Sequence, residues 1–392
     1  MLSALPRPWQ REFNPCIQCG ICGGSCPLGH AMDSTPRRII HLAREGLLDE
    51  VLRSTTLWLC VSCYTCSARC PSGLKITDLL FPALRDAAMT AGLQPPAEVK
   101  KALDSTYRYG NPFGEGPRKR LEWTKGAGVP VPVISQLRRP VEVLWIVECY
   151  PAYHPRNQRQ AQAMARLLTA LGVDFAILGP EERCVGDCER LAGEQGLFDS
   201  LVEYTTSLLN RYEYGEIVTG DPHAMNSLRR IYPGAGRRPP VRHYVEFLAD
   251  RLDALRPVLR GRIPARVTYH DNCTLGRAWG IYDQPRALLR AIPGLTLVEM
   301  PFARESALCC GGGGAGMWLD TMIWQTAHER LSDRRIAHAL AAGADILAVS
   351  CPFETSRFED ALKSTGNEGR LVVRDILELL DESLTARSEV QA

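Results

Sequence analysis

The chain has almost no net charge: 46 Lys and Arg stand against 44 Asp and Glu, giving +2 over 392 residues. No basic stripe interleaves with aromatics, so nothing in the charge argues for a nucleic-acid surface or an anionic membrane. There is no apolar run long enough to cross a bilayer, and any membrane link is expected to run through a partner. Met1–Gln10 lacks the apolar core of a secretory signal, so a cytoplasmic, reducing location is expected. A nucleotide fingerprint is also missing. Gly311–Gly316 is glycine-rich but lacks the Lys-Ser/Thr ending of a phosphate loop, and no flavin motif occurs. Electrons, if this chain handles them, must arrive from another protein.

What the chain does have is cysteine, fifteen in all. They are too sparse for a small disulfide scaffold and cluster at metal-ligand spacing. Cys16, Cys19, Cys22 and Cys26-Pro27 form a C-x2-C-x2-C-x3-C-P run, and Cys60, Cys63, Cys66 and Cys70-Pro71 repeat it. That doubled run is the bacterial ferredoxin pattern for two 4Fe–4S cubanes, in which the fourth cysteine serves the other cluster. It assigns Cys16, Cys19, Cys22 and Cys70 to one cubane, and Cys60, Cys63, Cys66 and Cys26 to the second. Paired zinc sites seldom use the third C-x2 step or the trailing proline. Between the two runs the pattern is helical. One helix is expected from Thr35-Pro36 to a stop at Gly46, a second from Leu47 to Trp58, and a third from Ile76 to Ala91. The Pro- and Gly-rich stretch 94–140 reads as a linker lying on the surface.

From Val141 onward, strands alternate with helices, which implies parallel α/β sheets carrying their chemistry at the carboxyl ends of strands. Val141–Val147 ends near Cys149, Asp174–Leu178 leads to Cys184, and Glu216–Thr219 runs into Asp221-Pro222-His223. The order then recurs. Arg266–Tyr269 leads to Cys273, Thr296–Val298 toward Cys309, and Asp345–Val349 to Cys351-Pro352-Phe353-Glu354. Cys149 to Cys184 is 35 residues and Cys273 to Cys309 is 36, so the halves read as related repeats. Only the second keeps a full thiol set, because Val185 stands where the second has Cys310, and Asp221 where it has Cys351. The run Cys309-Cys310-Gly311-Gly312-Gly313-Gly314 is the focus of the chain. Adjacent thiols converge on one centre only where the backbone bends sharply, which glycines permit. The expected fold is α+β multidomain: an N-terminal all-α helical ferredoxin-like domain (1–105), a linker (106–140), and two α/β repeats with parallel sheets. The first repeat (141–252) is degenerate, and the second spans 253–392.

On these motifs the chain resembles the heterodisulfide reductase family. Residues 16–27, Thr35-Pro36-Arg37 and Trp58–Cys66 look like its small electron-transfer subunit, and 141–392 look like its catalytic subunit. Gly110–Gly114 and Trp123 resemble the joint of fused versions, including a sulfite-reduction-complex subunit. In that family a full cysteine motif holds a noncubane iron–sulfur cluster that cleaves a disulfide. The resemblance makes Cys273, Cys309, Cys310 and Cys351 metal ligands in repeat 2, with Glu354 at the fifth ligand position. Cys309, Cys310, Glu354 and His223 become the candidate catalytic residues, His223 as proton donor to a thiolate product. A carboxylate is a harder ligand than thiolate, so a cubane or an open iron are both compatible with Glu354. Repeat 1 matches only at Cys149 and Cys184, with Cys188 and His223 as further candidates, and no second noncubane cluster is expected there. The resemblance implies a flavoprotein partner, a disulfide or thiol substrate, and, as an alternative carrier, a membrane haem subunit. The rival reading is a non-catalytic relay like the iron–sulfur subunits of glycolate or lactate oxidases.

Overall fold

The computed structural model describes residues 13–230, 232 and 239–384. The segment Met1–Gln10, read above for a signal, lies outside them.

Among the described residues before Tyr109 there are helices and turns but no strand. Helix α1 (Pro36–Arg44) starts with Pro at its first position, where the missing N–H costs nothing. Its apolar Ile39, Ile40 and Leu42 are buried. The single helix expected over Leu47–Trp58 is instead two, Leu48–Leu52 and Thr56–Leu59. The cause is Asp33, whose carboxylate accepts from Ser54 Oγ (2.5 Å), Thr55 N (3.0 Å) and Thr56 Oγ1 (2.7 Å), an arrangement that satisfies freed N–H groups and ends the first helix. Although burial opposes it, these hydrogen bonds hold the Asp33 carboxyl down at about 2. A π-helical turn, Ile76–Leu80, runs into α2 (Phe81–Thr90), and α3 spans Ala97–Tyr109.

The stretch read as a surface linker is not one. Helix α3 crosses the expected boundary at 105, and the 3₁₀ turn Pro117–Gly126 buries Arg120 and Trp123. The Trp123 ring meets Trp145 edge-on, with centroids 5.3 Å apart, which anchors the connection on the first sheet.

Strands β1 (Val141–Ile146), β2 (Phe175–Ile177), β3 (Tyr214–Thr219) and β4 (Val241–His243) form a parallel sheet ordered β2-β1-β3-β4. Strands β5 (Arg266–Tyr269), β6 (Thr296–Leu297), β7 (Ile346–Val349) and β8 (Val372–Asp375) form a second, ordered β6-β5-β7-β8. In β1, five of six residues are buried, as a strand covered on both faces requires. Strand order reverses between β1 and β3, and between β5 and β7, which opens a crevice at the carboxyl ends of those pairs. Cys149 and Asp221 border the first crevice; Cys273 and Cys351 border the second. Helix α4 (Pro155–Ala170) joins the repeats. Its Arg156 pairs with Glu359 (2.5 Å) and Glu378 (2.7 Å), and its Arg166 with Asp381 (2.6 Å). One apolar cluster runs without a break from Leu28, Leu59 and Val61 through Val99 and Leu103 to Leu347 and Val349.

Candidate iron–sulfur and sulfur-reducing site

None of the fifteen cysteines is in a disulfide. Cys16, Cys19, Cys22 and Cys70 line one internal cavity, and Cys26, Cys60, Cys63 and Cys66 line another. The two loops share a backbone. The second and fourth residues after the first cysteine are left-handed in both: Gln18 and Gly20 (φ 58° and 85°), then Ser62 and Tyr64 (φ 49° and 62°). Such alternation turns successive N–H groups inward, a concavity suited to an anion. The first set is the outer one, since Cys19 is exposed between Ile17 and Ile21, themselves 68% and 43% exposed. In the inner set Cys63 and Cys66 are buried.

The inner set lies against the Cys309–Gly316 loop of repeat 2. At Gly314 (φ 56°) an added Cβ would stand 2.9 Å from the Cys60 carbonyl oxygen and 2.5 Å from Ser62 Oγ. Only glycine lets the two backbones approach so closely. Cys309 lies near enough for its charge to act on Cys63, which burial already pushes up. Within repeat 2, Cys273 and Cys309 Sγ are 3.8 Å apart, Gly311 N donates to Cys309 Sγ (3.2 Å), and Gly312 N donates to Cys310 Sγ (3.4 Å). Hydrogen bonds from Cys273 and Cys310 pull the Cys309 thiol well below the usual range.

Glu354 is fully buried on helix α5 (Pro352–Ser364), beside Cys310. It accepts from Asn272 Nδ2 at 2.7 Å. His270, which sequence reasoning missed, is also fully buried. Its Nε2 is 3.4 Å from Glu354 Oε1 but makes no hydrogen bond, while Arg335 Nε approaches its Nδ1 (3.3 Å). One donor atom each from His270, Cys310 and Glu354 lie within 4.8 Å of one another. The carboxylate and neighbouring thiols fit a metal centre, since each is costly to bury unpaired, while His270, whose Nδ1 accepts from Arg335, carries its ring proton on Nε2 toward Glu354. The only forward signal was position, three residues before Cys273 at the end of β5. Cys351 packs with Tyr150 and Phe353 on the side facing repeat 1.

Repeat 1 is organised differently. Cys149, Cys184 and Glu148 bring one donor atom each within 4.8 Å. Their charge already has a protein partner. Buried Arg120 pairs with Glu182 (2.7 Å) and donates to Cys149 Sγ (3.3 Å). Glu148 accepts from Cys149 N (3.2 Å) and Val185 N (3.1 Å). Cys188, Asp221 and His223 line the same small cavity. Arg120→Met would strand Glu182 in the interior, and we expect about 3–5 kcal/mol of lost stability, read by denaturant unfolding.

His223 bridges the repeats. Its Nδ1 is 2.9 Å from Asp187 Oδ2, and its Cε1 would stand 3.6 Å from a Cβ at Gly313. Asp187 is held by Arg190 (2.9 Å) and Ser227 (2.9 Å) as well. Burial works against the imidazolium, but the hydrogen bond and charge of Asp187 outweigh it and raise the His223 pKa. The raised pKa stabilises the fold fully below about 6.5, and that contribution disappears as pH climbs through the folded value. Asp187 is lowered and contributes only above about 4. The thermal-stability gap between the native chain and His223→Gln should therefore be widest at pH 5–6 and shrink toward pH 9.

Two thiol-lined cavities set among helices, the inner one abutting a Cys-Cys-Gly loop at a sheet crevice, mark an iron–sulfur protein. The comparisons agree. The profile of a 4Fe–4S dicluster domain matches residues 12–74, and that of a cysteine-rich domain matches 143–229 and 267–354. The chain is 33% identical to the probable iron–sulfur-binding oxidoreductase FadF of Bacillus subtilis, over 86% of this chain and 48% of that protein. It is 32% identical to the EtfAB:quinone oxidoreductase of Syntrophomonas wolfei, over 86% and 48%. It thus spans about half the length of these two relatives. A subunit of the dihydromethanophenazine:CoB–CoM heterodisulfide reductase of Methanosarcina mazei is 30% identical over 95% of this chain and 94% of its own length. The chain belongs to the family of that heterodisulfide reductase subunit, and its first domain carries two 4Fe–4S clusters. No helix among the described residues is long and apolar enough to cross a membrane.

Proposed function

We propose that this chain takes electrons from a flavoprotein partner and delivers them to a disulfide, or runs the same route backward from thiols. Cys16, Cys19, Cys22 and Cys70 hold the outer cubane, and Cys26, Cys60, Cys63 and Cys66 the inner one. Cys273, Cys309, Cys310 and Cys351, with Glu354 or His270 adjoining, hold a third cluster, which supplies one-electron storage and a site for sulfur. The partner docks where Cys19 is exposed between Ile17 and Ile21. The chain's working location is cytoplasmic, and a membrane haem subunit is the alternative partner. The observation that carries this reading is the close backbone approach of the inner cysteine loop to the Cys309–Gly316 loop, where a Cβ at Gly314 would stand 2.9 Å from the Cys60 carbonyl oxygen. At the far end RSSR′ takes up two electrons and two protons to give RSH and R′SH. His223, whose imidazolium form the Asp187 carboxylate favours, protonates a leaving thiolate.

Repeat 1 holds no noncubane cluster in this reading, because Arg120 already supplies the counter-charge that a metal would bring. That same feature favours the rival reading, a relay with no chemistry of its own. Steady-state assay of the chemically reduced chain with small disulfides separates the two. Turnover that falls with the His223→Gln change and shifts its pH profile supports disulfide chemistry. Rapid reoxidation by acceptor proteins with no disulfide turnover establishes the relay.

A further inference from the structure

Two arginines, Arg85 buried and Arg277 partly buried, sit in the joint between the inner cysteine set and repeat 2, and neither meets a carboxylate among the described residues. Arg85, on α2, donates from Nη2 to the Cys60 carbonyl (2.6 Å) and from Nη1 to the Gly314 carbonyl (3.1 Å). It also donates to Leu57 O (2.7 Å) and Leu191 O (2.5 Å). Arg277, on the π-helical turn after Cys273, donates from Nε to the Cys63 carbonyl (2.8 Å) and from Nη1 to the Ala307 carbonyl (2.6 Å). Its Nη2 is buried without a partner. Each arginine thus ties one carbonyl of the inner cysteine loop to one in or beside the Cys309–Gly316 loop.

A buried guanidinium is costly unless a charge opposes it. Here the opposing groups are thiols: Cys60 for Arg85, and Cys63, Cys273 and Cys309 for Arg277, with the Tyr282 phenol also facing it. The outer set has arginines too, since Arg37 lines its cavity and Arg44 donates to Cys16 O (2.7 Å). Those two are exposed, and water and salt screen them. The positive charge that acts on the thiols with least screening lies at the inner joint.

We propose that Arg85 and Arg277 set the direction of electron flow, by raising the potentials of the inner cubane and the repeat-2 cluster above that of the outer cubane. A cluster gains negative charge on reduction, and net charge, hydrogen bonding and exposure set its potential. A buried cation therefore favours the reduced form. Cys16, Cys19, Cys22 and Cys70 would hold the group that takes one electron from the partner's flavin, and Cys60 and Cys63, beside the arginines, would hold the one that receives it. Two such transfers with two protons complete the disulfide reduction proposed above, on which this inference rests.

The test is a potentiometric titration of the full chain, followed by EPR, with iron counted in each sample. In Arg277→Gln the inner cubane and the repeat-2 signal move to lower potential while the outer cubane stays in place. Arg277→Lys, which keeps the charge, recovers most of that shift. Unmoved inner midpoints in Arg277→Gln, or an equal shift of the outer cubane, overturn the proposal. If Arg277→Gln loses iron, Arg277→Lys decides: intact clusters near native potential support charge as the cause, and loss of iron assigns Arg277 a structural role and overturns it. Shifted potentials in a chain that reduces no disulfide leave the tuning intact and sink the substrate reading. Native potentials in an Arg277→Gln chain that still reduces disulfides do the reverse.

Discussion

Cys310→Ala is expected to abolish disulfide turnover and any paramagnetic signal of the oxidised protein, while the two N-terminal cubanes remain reducible. Cys310 is buried where Gly312 N–H points at its sulfur and where His270 and Glu354 converge. Alanine removes that sulfur with little change of volume, a packing loss of about 1 kcal/mol, and the iron count drops by one cluster. The N-terminal cysteine sets line their own cavities and do not include Cys310. Anaerobic EPR of the oxidised chain, with and without thiols, reads the outcome. A signal that survives the change, or native iron content, would place sulfur chemistry elsewhere and return the chain to the relay reading.

Gly314→Ala has the second large effect, and here the damage is to the joint. The residue is left-handed, which costs a non-glycine roughly 1–3 kcal/mol, and its new Cβ meets the Cys60 carbonyl and the Ser62 hydroxyl, adding about 1–3 kcal/mol of overpacking. The loop must lift away from the inner cysteine set. Thermal stability falls, and reoxidation of the inner cubane by disulfide slows while its iron is retained. Gly92 is the control: it is equally left-handed (φ 87°) with nothing within 4 Å of its Cβ position, so Gly92→Ala carries backbone strain alone. Equal kinetic defects in both variants would show that strain, and not the contact with Cys60, was responsible.

The thiol chemistry was legible because it is written in local spacing. The two C-x2-C-x2-C-x3-C-P runs impose two similar loops whatever surrounds them. Continuous apolar runs such as Val143–Ile146 announce a strand covered on both faces. What could not be read depends on distant partners. The break between Leu52 and Thr56 comes from Asp33, twenty-odd residues upstream. The burial of Trp123 depends on Trp145, and the polar stretch around it disguised an anchored segment as a linker. Arg85 and Gly314 are separated by 229 residues, and His270 acquires meaning only when α5 brings Glu354 to it. Spacing reveals ligands; it does not reveal what surrounds them.

The apolar cluster from Leu28 and Val61 to Val349 bears on how such a chain can move. Electron carriers often shuttle, swinging a tethered domain from one docking site to another at a pace set by linker and solvent. Here the dicluster domain and the second repeat share one interior, clamped by two arginines and with no free linker between 94 and 140. The inner joint is a weld and not a hinge. Any motion that paces turnover must lie outside it, at the exposed Cys19 face proposed for the partner, or in the passage of substrate itself.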